Sequence, residues 1–147
     1  MQPDAPQALL ETLAESLELM AFIMLDPVTE PPAAPEEAVV VSMGFSGPVS
    51  GSVQVIAPRA FATMLSANVL GSDPSDEDAL VKADDCLKEL VNVVGGALMP
   101  KLSTSPDDVF KLELPTLRTM DDSEWTSISA TSQLAMADGH VIAARLV

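Results

Sequence analysis

The run from Ser75 to Met99 constrains the fold of this 147-residue chain most, because its apolar residues recur at the spacing of an α-helix. At about 3.6 residues per turn, Leu87, Leu90, Val91, Val94 and Leu98 fall on one side, and Asp85, Glu89, Asn92 and Gly96 share the opposite face. The first side needs a core; the second faces water or a partner. Asn is a poor helix-interior residue because its carboxamide competes for backbone hydrogen bonds, and Gly95 and Gly96 cost roughly 1 kcal/mol each relative to alanine. A helix that carries such defects is expected to use the face that bears them. Ser75 with Asp76, Glu77 and Asp78 supplies an N-cap and three anionic groups where the helix dipole favours them. Pro100 removes a backbone donor and crowds the carbonyl of Gly96, so the helix is expected to break or kink after about Met99.

Around this helix the chain reads as alternating helical and extended segments. Leu10, Leu13, Leu17, Met20 and Met24 predict a first amphipathic helix over 7–25, ended by Asp26-Pro27. Residues 27–37 hold four prolines and three glutamates and read as a loop within the domain. Strands are expected at 38–45 and 49–57, paired as a hairpin about Ser46-Gly47-Pro48, followed by a short helix over 58–70 with Gly71 as its C-terminal cap. Segments 110–114, 125–136 and 140–147 read as strands, the last two joined at Asp138-Gly139, a strong hairpin signal. The fold class expected is α+β, a single domain over residues 1–147 in which two long helices cover one face of a mostly antiparallel sheet.

Composition narrows the function. A hydrophobic fraction of 48% is enough for a sizeable core, and with aromatic residues at only 3% that core must be aliphatic, built from Val, Leu, Ala and Met. The formal charge of -15 repels phosphate backbones and anionic lipid heads, which argues against nucleic acid and membrane surfaces as partners. One cysteine, Cys86, allows no intrachain disulfide, and the N-terminus lacks a basic segment followed by a long apolar one, so a cytoplasmic location is expected.

Asp85, Glu89 and Asn92, followed by Pro115 after a gap of 22 residues, form a pattern that resembles the signature of the CheC/CheX/FliY chemotaxis phosphatases. Gly95-Gly96 sits where that family often has glycine. With one such motif in a chain of this length, the sequence is most similar to the CheX type. The resemblance implies a phosphatase that accelerates hydrolysis of the aspartyl phosphate on a CheY-like response regulator and so ends a chemotaxis or two-component signal. It implies that Asn92 places the hydrolytic water and that Glu89 pairs with the regulator's active-site lysine. It also implies no cofactor in this chain, Mg²⁺ in the partner regulator, and a homodimer. Asp85 is a candidate for supporting Glu89 or binding at the rim, and Gly95 and Gly96 either admit a partner's backbone or let a neighbouring strand pack. A carboxamide does not titrate but both donates and accepts hydrogen bonds, which suits it to orient water for attack on a phosphoryl group.

Other constellations are weaker. His140 is the sole histidine and has no cysteine cluster to make a metal site with. Cys86 lies beside Asp84 and Asp85, which disfavour its thiolate, so it reads as a small buried or half-buried hydrophobe. Gly44, Gly47 and Gly51 lack the Lys-Ser/Thr tail of a phosphate loop and read as hairpin geometry. The rival functional class is a module that binds a response regulator, or serves as a motor-switch-like adaptor, without catalysis. A small-molecule sensor would need a closed apolar cavity with convergent polar groups.

Overall fold

A computed structural model describes residues 4–28, 30 and 32–147. Its elements in chain order are α1 (Ala5–Ala21), β1 (Asp26–Pro27), β2 (Ala38–Ser46), β3 (Gly51–Pro58), α2 (Arg59–Leu70), α3 (Glu77–Leu102), β4 (Lys111–Leu112), β5 (Thr116–Thr119), a single 3₁₀ turn (Asp122–Glu124), α4 (Trp125–Thr131), β6 (Gln133–Ala137) and β7 (His140–Leu146). The strands form one sheet in the order β1-β6-β7-β3-β2-β4, with β5 also paired to β2. Every pairing is antiparallel.

Alternation along the strands sorts the apolar residues into two layers. Val39, Val41, Met43, Phe45, Val53 and Val55 point into the main core, where they meet α1, α2 and α3. Ala38, Val40, Ile56 and Ala143 point the other way and are covered by Met120, Trp125 and Ile128. The helical layer therefore holds α2 as well as the two long helices, and the short α4 covers part of the opposite face. The Trp125 indole N–H donates to the carbonyl of Pro32 at 3.2 Å, fastening the proline-rich segment to that second layer.

The 38–46 and 51–58 hairpin, the helix at 59–70 and its left-handed Gly71 cap (φ 68°) follow the sequence reading closely. Asp138 (φ 48°) and Gly139 (φ 83°) both take positive φ, as a tight two-residue turn requires. Close approaches explain the other hairpin glycines: a Cβ at Gly47 would lie 2.6 Å from the carbonyl oxygen of Val109, and one at Gly51 2.7 Å from that of Val147.

Six local expectations are corrected. Helix α1 stops at Ala21 rather than near Leu25, because Phe22 takes a left-handed conformation (φ 56°) and turns Ile23 back into the core. Its buried ladder is Leu9, Leu13, Leu17 and Ala21, and Met24 lies exposed beyond the helix. Asp26 and Pro27 pair with Met136 and Ala135 as an edge strand, where a proline without an N–H is tolerated. The cap of α3 is Asp76, while Ser75 donates its N–H and hydroxyl to Asp73 at 2.9 and 2.8 Å. That contact lowers the pKa of Asp73. The helix also runs past Pro100 to Leu102, because Pro100 sits in the last turn and the burial of Leu102 and the side-chain contacts of Lys101 hold that turn in place. Of segment 110–114 only β4 (Lys111–Leu112) is a strand, and β5 (Thr116–Thr119), beyond Pro115, is a strand the sequence did not predict.

The sixth correction is the largest: 125–136 is not one strand. Asp121 accepts from the Ser123 N–H, the Glu124 carboxylate accepts from the Asp121 N–H, and this capping box starts a helical turn that continues into α4. Only 133–137 is extended.

Candidate functional site

The site is built on α3, which at 1.5 Å per residue is about 39 Å long. Its inward residues Leu87, Leu90, Val91, Val94 and Leu98 are all fully buried, as their spacing predicts. Helix α3 packs against α2 and α1 side by side and against β2 beneath. Polar contacts tie it near both ends. Asp84 pairs with Arg59 at the start of α2 (3.0 Å), and Lys101 donates to the Thr12 hydroxyl of α1 (2.7 Å) and pairs with Glu15 (3.6 Å). The Arg59 pair is about half exposed and contributes geometry more than stability.

Between these two ties the outward face carries Asp85, Glu89, Asn92 and Gly96, all exposed. Glu89 and Asn92 are one turn apart on the same face. Among the described residues, none of the side chains of Asp85, Glu89 and Asn92 is engaged in a hydrogen bond or ion pair. A carboxylate and a carboxamide are thus presented on an anchored helix with their hydrogen-bonding capacity free. Glu89 can accept from an ammonium group, and Asn92 can donate to one oxygen while accepting from a water.

The two glycines separate. Gly95 is buried, and a Cβ there would collide with the methyl of Met43 from β2, so this glycine serves helix-on-sheet packing and is not available to a partner. Gly96 is exposed, and a Cβ there would meet nothing within 4 Å. Packing does not explain Gly96, although it costs the helix roughly 1 kcal/mol. Pro115 is half-buried between β4 and β5 and shapes a strand end. Cys86 is half-buried against the core, and the His140 ring packs edge-on to Phe61 at 6.3 Å. Among the described residues no group of His, Cys, Asp and Glu side chains is placed to hold a metal ion, and no helix is long and apolar enough to cross a membrane.

One feature of the face is absent from the sequence reading. Beyond Gly96 the surface opens into a cleft of about 550 Å³ lined by Gly96, Met99, Pro100, Pro106, Phe110 and Leu112, among others. Its far wall is a loop organised by Asp108, whose carboxylate accepts from the N–H groups of Thr104 (2.8 Å) and Ser105 (3.1 Å) and from the Ser103 hydroxyl (3.0 Å). The Thr104 N–H is the main cause of the lowered pKa of Asp108. The sequence signal was Ser103 and Ser105 ahead of Asp108, a side-chain-to-backbone turn.

Comparison with known proteins agrees with this geometry. The family model of the chemotaxis phosphatase CheX matches residues 39–137, more than half of the chain. A chain of the CheX–CheY–BeF₃–Mg²⁺ complex from Borrelia burgdorferi superposes with a TM-score of 0.72 at 18% identity, over 99% of this chain and 98% of that one. The chemotaxis protein CheX from Desulfovibrio desulfuricans gives 0.67 at 16% identity, over 98% and 99%. FliY from Thermotoga maritima gives 0.60 at 12% identity, over 99% and 91%. No curated protein sequence matches this chain significantly. At these identities the structural likeness shows a shared fold, and the family model, matched across both the hairpin and the motif helix, shows more: this chain belongs to the family of the chemotaxis phosphatase CheX.

Proposed function

We propose that this protein accelerates hydrolysis of the aspartyl phosphate on a CheY-like response regulator, with Asn92 and Glu89 as the residues that enter the regulator's active site. The observation that carries this reading is the exposed, unengaged Glu89–Asn92 pair on the outward face of a helix tied near both ends. Phosphoryl transfer needs little covalent help from a protein; it needs a water in line and charge correctly placed. Asn92 orients the water, and Glu89 accepts from the regulator's lysine. Mg²⁺ belongs to the regulator, as the metal in the Borrelia burgdorferi CheX–CheY–BeF₃–Mg²⁺ complex suggests. Asp85, one turn before Glu89, supports the face at its rim, and Gly96 leaves room for the regulator at the other end.

The protein acts in the cytoplasm as a homodimer in this reading. The edge of β5 away from β2 pairs with nothing among the described residues, and an open edge of this kind is suited to strand pairing with a second copy. The phosphatase assignment is tested by phosphate release from a phosphorylated CheY-like regulator with Mg²⁺. Release should accelerate in proportion to added protein, and a rate equal to the regulator's own decay would overturn the assignment.

A further inference from the structure

We infer that the cleft beyond Gly96 is a second contact for the response regulator, and that it receives a short apolar segment flanking the regulator's phosphorylation pocket. This inference rests on the assignment of Glu89 and Asn92 to the regulator. The cleft begins on the same helix face, one turn past Asn92, so a partner that covers Asn92 reaches the mouth of the cleft without turning. Its volume of about 550 Å³ exceeds what a single side chain fills. Gly96 forms the threshold, and the space above it is open. A side chain at that position would narrow the passage between the pair and the cleft.

The chemistry of the lining selects the occupant. Met99, Phe110 and Leu112 are apolar and belong to the core or pack against it, and Pro100 and Pro106 add rigid apolar walls. The one carboxylate, Asp108, already accepts three hydrogen bonds from its own loop and does not call for a cation. A neutral apolar segment suits such a surface. In a chain of formal charge -15, this cleft also gives an acidic partner a contact that does not depend on charge.

Pro106 is the position to alter, because it is exposed and lies in a turn closed by the Asp108 N–H to the Ser105 carbonyl at 3.1 Å, a turn that does not need proline. Pro106→Glu places a carboxylate at the cleft without touching Glu89 or Asn92. Binding of a beryllofluoride-activated CheY-like regulator, with Mg²⁺, is measured by calorimetry in about 0.5 M NaCl, where the Debye length is about 4 Å and remote charge is screened. The expected result is a dissociation constant raised at least fivefold, with kcat for the phosphorylated regulator within twofold of the parent. A smaller rise, or a loss confined to kcat, overturns the inference. Failure of the underlying reading looks different: the parent protein would not bind the activated regulator at all, or Asn92→Ala would retain full turnover.

Discussion

Glu89 and Asn92 differ in what they offer, and substitution separates them. In the proposed contact Glu89 would face the regulator's lysine in a largely desolvated setting, so Glu89→Lys sets like charges together and should weaken affinity for the regulator as well as turnover. Unchanged affinity in calorimetry would contradict the lysine pairing. The adjacent glycines make a sharper test of local packing. Gly96→Ala gains helix propensity in open space and should raise stability by about 1 kcal/mol in chemical denaturation. Gly95→Ala gains the same propensity but must displace the buried Met43 methyl, and overpacking of about 1–3 kcal/mol should outweigh it. Equal effects at the two positions would contradict the orientation of α3. The outward face itself was legible from the residues, since a 3.6-residue period fixes which side chains share a side. The division of labour within Gly95-Gly96 was not, because it depends on Met43, more than fifty residues earlier in the chain.

At the scale of elements, two polar turns contribute to the acid sensitivity. Glu124 has its pKa lowered first by the Arg118 guanidinium and then by the Asp121 N–H, and Asp108 first by the Thr104 N–H. A carboxylate whose folded pKa is depressed stabilises the fold above its ordinary value, and that stability is lost as pH falls through the folded value. Melting temperature should therefore drop as pH falls from about 5 towards 2, and the double variant Asp108→Asn, Glu124→Gln should show a shallower drop. Parallel profiles would contradict these contacts. The Glu124 contact belongs to the segment where sequence reading failed. Trp125 to Met136 is rich in β-branched and small residues, which suggested a strand, but the Asp121–Glu124 capping box precedes it and starts a helix. Pro100 shows the converse. Its missing N–H predicts a break or kink near Met99, but the tertiary contacts of Lys101 and the burial of Leu102 carry the helix past it.

At the scale of the molecule, the sheet order could not be read from the chain. The β2–β3 and β6–β7 hairpins carry local turn signals, whereas the pairings of β2 with β5 and of β1 with β6 join segments far apart in sequence with no local mark. The terminal strand β7 lies inside the sheet between β6 and β3, so its uncharged run Val141-Ile142-Ala143-Ala144 is protected and the open edges lie elsewhere. Light scattering at roughly tens of micromolar should give twice the 15.4 kDa chain mass if the β5 edge pairs with a second copy. A monomer mass would remove the dimer and leave the catalytic reading intact, since Glu89 and Asn92 lie on one helix of one chain. The central claim is that Asn92 positions the water that hydrolyses the regulator's aspartyl phosphate. It is tested most directly by measuring phosphate release from a saturating phosphorylated CheY-like regulator with the parent protein and with Asn92→Ala, beside a melting curve for each. The expected result is a loss of at least tenfold in turnover, about 1.4 kcal/mol of barrier, at unchanged melting temperature; near-parental turnover in the folded variant would contradict it.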